Sequence, residues 1–276
     1  MSAALPAHSP PVIGHPAPSP AILCIDIGNT HAHYGVVAKD SVHSAGVVPT
    51  RLLDHPADGI LPRLSGLRTA DDAPVAIAFC SVVPAATPIF LQAMAGYGLP
   101  VWQIGPEQRL GVSITYPQPA EIGQDRLANA AGAHALFGSP AVVIDLGTAV
   151  TFDIITRAGG YEGGIIAPGP AMMRDYLHER TAQLPFIDDS LKITSAIGKS
   201  TVEGMRIASV IGFPGMIQAL LDAVLAELAG RGEPPPALVT AGGAAAAIDG
   251  RLRQKPVDSP DLTLLGLAAA WRLNNA

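Results

Sequence analysis

Three aspartates carry most of the chemistry that this sequence offers. Asp26 and Asp145 each end an apolar run, residues 21–25 and 141–144, and each leads into a short turn, Asp26-Ile27-Gly28-Asn29-Thr30 and Asp145-Leu146-Gly147-Thr148. Such a turn offers a carboxylate, backbone N–H groups unobstructed by a Cβ, and a hydroxyl, all at one point. The N–H groups can cradle phosphate oxygens. The carboxylate would repel a phosphate, but it can hold a hydrated Mg2+ or a monovalent cation that bridges to one. A single Asp-x-Gly turn is equally well a hairpin device. Two copies, 119 positions apart in the same strand–turn–strand context, point instead to two related halves that face one site.

The third aspartate, Asp125, lies in Gly123-Gln124-Asp125-Arg126, ahead of an Ala-rich helical stretch over 126–136. Two readings stand side by side. As a helix cap or dipole partner, Asp125 would contribute roughly 0.5 to 2 kcal/mol of stability. As a general base it would take the proton from a substrate hydroxyl attacking a phosphate, with Arg126 holding a carboxylate or phosphate beside it. Gly198-Lys199-Ser200-Thr201 resembles the end of a P-loop. Thr194 stands where the first glycine should be and no apolar strand precedes it, so a helix N-terminus whose hydroxyls meet a substrate is expected instead. Gly242-Gly243 suits either a flat base or ribose packed on backbone, or a tight strand-to-helix turn.

These residues need elements to position them. Period-two and apolar runs predict strands over 21–26, 33–38, 41–49, 74–80, 99–104, 141–144, 149–156, 161–166 and 237–240. Helical spacing predicts helices over 58–67, 87–97, 126–136, 171–183 and 262–273, with a long one over 204–228 interrupted near Gly212-Phe213-Pro214. Strands with crossover helices make the class α/β with mixed sheets. Residues 1–20 form an expected disordered tail, rich in proline and without apolar periodicity; His8 and His15 within it have no partner at metal-ligand spacing. Residues 21–120 and 121–276 are the expected N-terminal and C-terminal α/β domains.

Composition narrows the classes. The chain has 276 residues, 49% hydrophobic and 14% charged, enough for two compact domains of about 100 to 200 residues each. A net charge of −6 argues against general nucleic-acid binding. Cys24 and Cys80 lie in apolar strand-like runs, as buried structural thiols do. No uncharged apolar stretch of about 18 residues suggests a membrane span, and the N-terminus lacks a signal-peptide pattern. The cytoplasm is the expected location.

Five motifs in order, Asp26-x-Gly-Asn-Thr30, Gly123-x-Asp-Arg126, Asp145-x-Gly-Thr148-Ala-x-Thr151, Gly163-Gly-x-Ile-x-Pro-Gly169 and Gly198-Lys-x-Thr201, resemble the type III pantothenate kinases. That family belongs to the acetate and sugar kinase, Hsp70 and actin superfamily. The resemblance spans residue 21 to the C-terminus. It implies two ribonuclease-H-like domains of the actin-like ATPase kind and transfer of phosphate from ATP to pantothenate, the first step of coenzyme A biosynthesis. By position it implies ATP binding by Asp26, Ile27, Gly28, Asn29, Thr30, His31, Ala32, His33 and Thr148. Pantothenate binding falls to Tyr116, Gly123, Gln124, Asp125, Arg126 and Thr201, with Asp125 as catalytic base. Asp145 would hold a monovalent cation, K+ or NH4+, and Asp26 would lie near Mg2+. A homodimer is implied, with no membrane or nucleic-acid partner. His33 departs from the pattern, since some members carry Lys or Arg there. The alternatives are another small-molecule kinase or a phosphohydrolase of the same superfamily, or a non-catalytic nucleotide-binding regulator.

Overall fold

The computed structural model describes residues 19–67, 73–158, 160–188 and 192–275. The expected tail, with His8 and His15, therefore lies outside the described residues except for Ser19 and Pro20. Strand β1 (Ile22–Ile27) is apolar on both faces and takes the centre of the first sheet, where both faces are covered. It pairs antiparallel with β2 (His31–Ala38), which pairs with β3 (Ser41–Pro49), and parallel with β4 (Ala76–Ser81), which pairs with β5 (Val101–Gln103). The sheet order is β3-β2-β1-β4-β5. The short helix α1 (Ile60–Leu64) and α2 (Ala86–Ala95) complete this half.

The second half repeats it. Strands β6 (Ala141–Leu146), β7 (Ala149–Thr156), β8 (Gly160–Pro168), β9 (Ala237–Ala241) and β10 (Val257–Asp258) give the order β10-β9-β6-β7-β8, the same sheet read from the other edge. The 119-residue offset holds between the starts of β1 and β6 and between the starts of β3 and β8. Between their partners it is 118: Ile22 pairs with Val37 while Ala141 pairs with Ile155. Asn29 is thus one extra residue in the first turn, and the longer connection from β7 to β8 restores the register. These are the two ribonuclease-H-like sheets expected, with β2 starting two residues earlier than its apolar run.

Two helices lie between the sheets. Helix α3 (Gln124–Phe137) packs on β6 and β7, and α7 (Leu262–Asn275) packs on β1, β2 and β4, so the last helix of the chain covers the first sheet. One core cluster joins Cys24 and Ala78 of the first sheet to Val143 and Val239 of the second through Leu127, Ala131 and Leu267. The two helices meet backbone to backbone. A Cβ on Gly132 would stand 2.8 Å from the Leu262 carbonyl, and one on Gly266 would overlap the Ala128 carbonyl.

Between β8 and β9 the helices are α4 (Pro170–Glu179), α5 (Thr201–Ile207) and α6 (Phe213–Gly230). Helix α4 stops short of the expected residue 183 because the Thr181 hydroxyl takes the Leu177 carbonyl (2.7 Å) and accepts from the Leu184 N–H (3.3 Å). Helices α5 and α6 run on through a π-helical turn, Ala208–Gly212, at the expected interruption. Pro214 has no N–H to offer the Val210 carbonyl four residues back. The Arg251 guanidinium donates to that carbonyl instead (2.6 Å). The 30-residue stretch Thr201–Gly230 reaches a mean hydropathy of 1.6 and is long and apolar enough to cross a membrane by composition alone. Within it, Phe213, Ile217, Leu221 and Leu228 pack on the outer face of the second sheet.

Gly266→Ala should lower unfolding free energy by about 1 to 3 kcal/mol, the usual result of overpacking. Gly215→Ala, in α6 with nothing within 4 Å of the added methyl, should be neutral or stabilising. Urea unfolding of both variants checks this; equal effects would refute the tight crossing.

Candidate active site

The two Asp-x-Gly turns close in the same way. The Gly28 N–H donates to the His31 carbonyl (3.0 Å) and the Gly147 N–H to the Ala149 carbonyl (3.0 Å). The Thr50 N–H ties the first turn down through the Thr30 carbonyl (3.0 Å), and the Gly169 N–H ties the second through the Thr148 carbonyl (3.1 Å). Thr50 adds its hydroxyl to the Gly28 carbonyl (2.7 Å). Across the gap between the halves, the Thr30 and Thr148 hydroxyls lie 3.1 Å apart. Two hydroxyls from residues 118 positions apart thus converge on one point. Gly242, with φ +81°, belongs here too, for a Cβ on it would stand 2.5 Å from the Asp145 carboxylate.

Three carboxylates sit behind these turns, and burial raises the pKa of each. Desolvation, then the neighbouring Asp125 charge, pushes Asp26 up to about 7, against the Cys80 thiol, which donates to its carboxylate at 3.2 Å. Burial likewise raises Asp125, opposed by the Arg126 backbone N–H at 2.8 Å. Asp145 is raised by burial and restrained by the Asn129 side-chain amide, which donates at 2.9 Å. Asn129 is fully buried and accepts in turn from the Thr263 hydroxyl on α7 (2.8 Å). Crowded, desolvated carboxylates with hard oxygen donors suit a cation that neutralises them. Among the described residues no three His, Cys, Asp or Glu side chains form a metal-binding group. A cation here would take its remaining oxygens from phosphate or water.

The residues expected on the substrate side divide. Asp125 stands at the second position of α3, where its N-terminal turn favours negative charge, and a Cβ on Gly123 would meet its carboxylate at 2.6 Å. Arg126 is largely buried. It donates from Nε to Asp153 (2.7 Å) and from Nη2 to the Phe152 carbonyl (3.0 Å). Gln124 accepts from the Ser81 N–H (2.9 Å) and the Gln103 amide (3.0 Å), and so pins α3 to the end of β4. The Tyr116 ring lies against Gly163, 3.1 Å from where a Cβ would be. Thr201 is exposed at the start of α5, which Ser200 caps by accepting from the Glu203 N–H (3.2 Å). Among the described residues no hydrogen bond joins Thr201 to the carboxylates.

In the first turn the Ile27 and Ala32 side chains are core, so they offer only backbone, whereas Asn29, Thr30, His31 and His33 are exposed. Desolvation, then the nearby His31, holds the His33 imidazole below its ordinary value. The sequence reading missed Asn129, Thr263, Thr50, Cys80 and Asp153. Two of them left a signal: Asn129 follows Asp125 by one helical turn within an Ala-rich helix, and Asp153 is a charge inside an apolar strand.

A family model of type III pantothenate kinases matches residues 22–223, which carry both turns, the three carboxylates and Arg126. A type III pantothenate kinase of Akkermansia muciniphila is 40% identical over 259 residues, covering 91% of this chain and 98% of that one. One from Rhodospirillum centenum is 38% identical over 263 residues, covering 92% and 99%. This chain belongs to the type III pantothenate kinase family. Among solved structures, a Baf family protein of Campylobacter jejuni shares the fold with a TM-score of 0.57 at 17% identity, over 91% of this chain and 97% of that one.

The raised Asp26 pKa fixes a sign. The folded state holds a proton at Asp26 between its ordinary pKa of 3.8 and about 7, so stability from this group is full below that window and falls as pH rises through it. Asp26→Asn in chelator-treated protein should therefore raise Tm more at pH 8 than at pH 5. An equal change at both pH values in thermal melts would contradict the buried, repelled carboxylate.

Proposed function

We propose that Asp125 is the general base in ATP-dependent phosphorylation of pantothenate to 4'-phosphopantothenate, the first step of coenzyme A biosynthesis, at the point where the two turns converge. The observation that carries this reading is the 3.1 Å approach of Thr30 and Thr148 in front of a buried carboxylate cluster. Gly28 and Gly147 open the turns to phosphate oxygens, and the two hydroxyls flank them. Asp125 needs a pKa between that of an ordinary carboxylate and neutrality to accept the proton of a primary hydroxyl, and burial moves it in that direction. Arg126 and Tyr116 line the pantothenate side, and Thr201 extends it.

Asp26 would hold Mg2+, and Asp145, oriented by Asn129, would hold K+ or NH4+; these cations supply positive charge against the phosphates. The protein itself performs little covalent chemistry, so positioning and charge stabilisation account for the rate. The reaction belongs in the cytoplasm, where ATP is available and the buried Cys24 and Cys80 stay free thiols.

We infer a homodimer as well. On α4, Met172, Tyr176 and Leu177 are exposed, and α4 packs against the π-helical turn, which exposes Ile211. Exposed apolar side chains gathered in this way mark association surfaces. Tyr176→Glu should shift the sedimentation of the protein from dimer towards monomer; an unchanged profile would move the interface elsewhere.

ADP release from ATP and Mg2+ should require pantothenate, be faster in K+ than in Na+, and fall by roughly 10² to 10⁴ in Asp125→Asn, the worth of a positioned base. Folded, ATP-binding wild type that releases no pantothenate-dependent ADP would remove the reading. Release driven by a sugar instead would point to another kinase of the superfamily.

A further inference from the structure

Gly164 of the Gly163-Gly164 motif and Asp153 have no role in the reaction described so far, yet both bear on one group, the Arg126 guanidinium. Asp153 sits in the middle of β7, fully buried, and pairs across the sheet with Gly164 of β8. One of its oxygens, Oδ1, accepts both from Arg126 Nε (2.7 Å) and from the Tyr161 hydroxyl (3.1 Å). The other, Oδ2, is buried without a hydrogen-bond partner among the described residues. The Arg126 guanidinium lies 5.9 Å from the Tyr161 ring centroid and donates from Nη2 to the Phe152 carbonyl (3.0 Å). Gly164 leaves the space, because a Cβ there would stand 2.7 Å from Nη2 and overlap the Phe152 carbonyl.

Stability alone does not explain this socket. A buried ion pair gains little over apolar packing, and a desolvated carboxylate oxygen with no donor is a net penalty. What the arrangement does achieve is a fixed guanidinium orientation. Nε and Nη2 are committed to protein acceptors, whereas no described residue accepts from Nη1, which is left as the edge available to a ligand.

We propose that Asp153, with Tyr161 and Gly164, is the positioning group that presents Arg126 to the carboxylate of the substrate, and so sets selectivity for an acid over its uncharged analogue. This rests on the pantothenate kinase reading above. Asp153 touches no reacting atom. It acts through Arg126, and a fixed, partly desolvated guanidinium discriminates an anion from a neutral group better than a mobile one.

The experiment compares pantothenate with pantothenyl alcohol, in which a hydroxymethyl group replaces the carboxylate, in wild type, Asp153→Asn and Tyr161→Phe. KM for ATP and thermal melts report whether each variant is folded. Wild type should favour pantothenate in kcat/KM. Asp153→Asn should raise the pantothenate KM by about tenfold, the scale of one charge-assisted hydrogen bond, leave the ATP KM within about twofold, and bring the two substrates close to equal. Tyr161→Phe, which keeps the carboxylate, should move the same ratio in the same direction by less. A residue that merely supports the fold would reduce activity on both substrates together, and an unchanged ratio in folded Asp153→Asn overturns the proposal. So would a wild type that accepts both substrates equally. Wild type inactive on both overturns the kinase reading and this proposal with it, an outcome distinct from active wild type with an unchanged ratio.

Discussion

Repulsion among desolvated carboxylates is the constraint on which the rest of the structure depends. Asp26, Asp125 and Asp145 are each held where burial disfavours their charge, and the charge of Asp125 adds to the penalty at Asp26. Nothing local to the turns could offset that. The compensation comes from the core cluster running from the first sheet through α3 and α7 to the second, and from the glycine crossing that lets the helices approach closely. The same packing that gathers the acids supplies the donors that hold them, since α3 carries Asn129 and α7 carries Thr263. Packing energy from the fold thus offsets the cost of gathering desolvated acids.

The repeated half explains how one chain builds a mouth with two matching lips. Because both sheets use the same strand order, both Asp-x-Gly turns emerge at the same end of a central strand, and both are tied down by the residue that follows the third strand, Thr50 or Gly169. Placing two such halves face to face brings Thr30 and Thr148 together. The insertion of Asn29 in the first turn alone makes the lips unequal.

Much of this was legible in the sequence, and the part that was not has a physical reason. Apolar runs ending in Asp-x-Gly identified both central strands and their turns, because a strand covered on both faces has to be apolar and a tight turn has to be glycine-rich. The interruption of the long helix was visible because Pro214 cannot donate. Helix 171–183 was read too long because a single hydroxyl, that of Thr181, ends it, and hydroxyl capping leaves no mark on apolar periodicity. The partners of Asn129, Thr263 and Asp153 are a different matter: Asn129 and Asp153 stand out in the sequence by their place, but the residue each acts on is brought near by folding, and spacing along the chain does not encode that. The Gly163-Gly164 pair is visible as a motif, but the arginine that needs the missing side chain of Gly164 comes from another element.

The duplicated aspartates also show how equivalent positions acquire different work. Asp26 receives a thiol donor from Cys80, a weak hydrogen bond, while Asp145 receives an amide from Asn129 whose own acceptor is satisfied by Thr263. A weakly restrained carboxylate next to Asp125 is pushed up by burial and by that neighbouring charge. Asp145 is raised by burial as well, and the Asn129 amide opposes that and sets the direction of its carboxylate. Once the two halves are superposed through their common topology, the chemistry of the partner donor rather than that of the aspartate distinguishes the two positions.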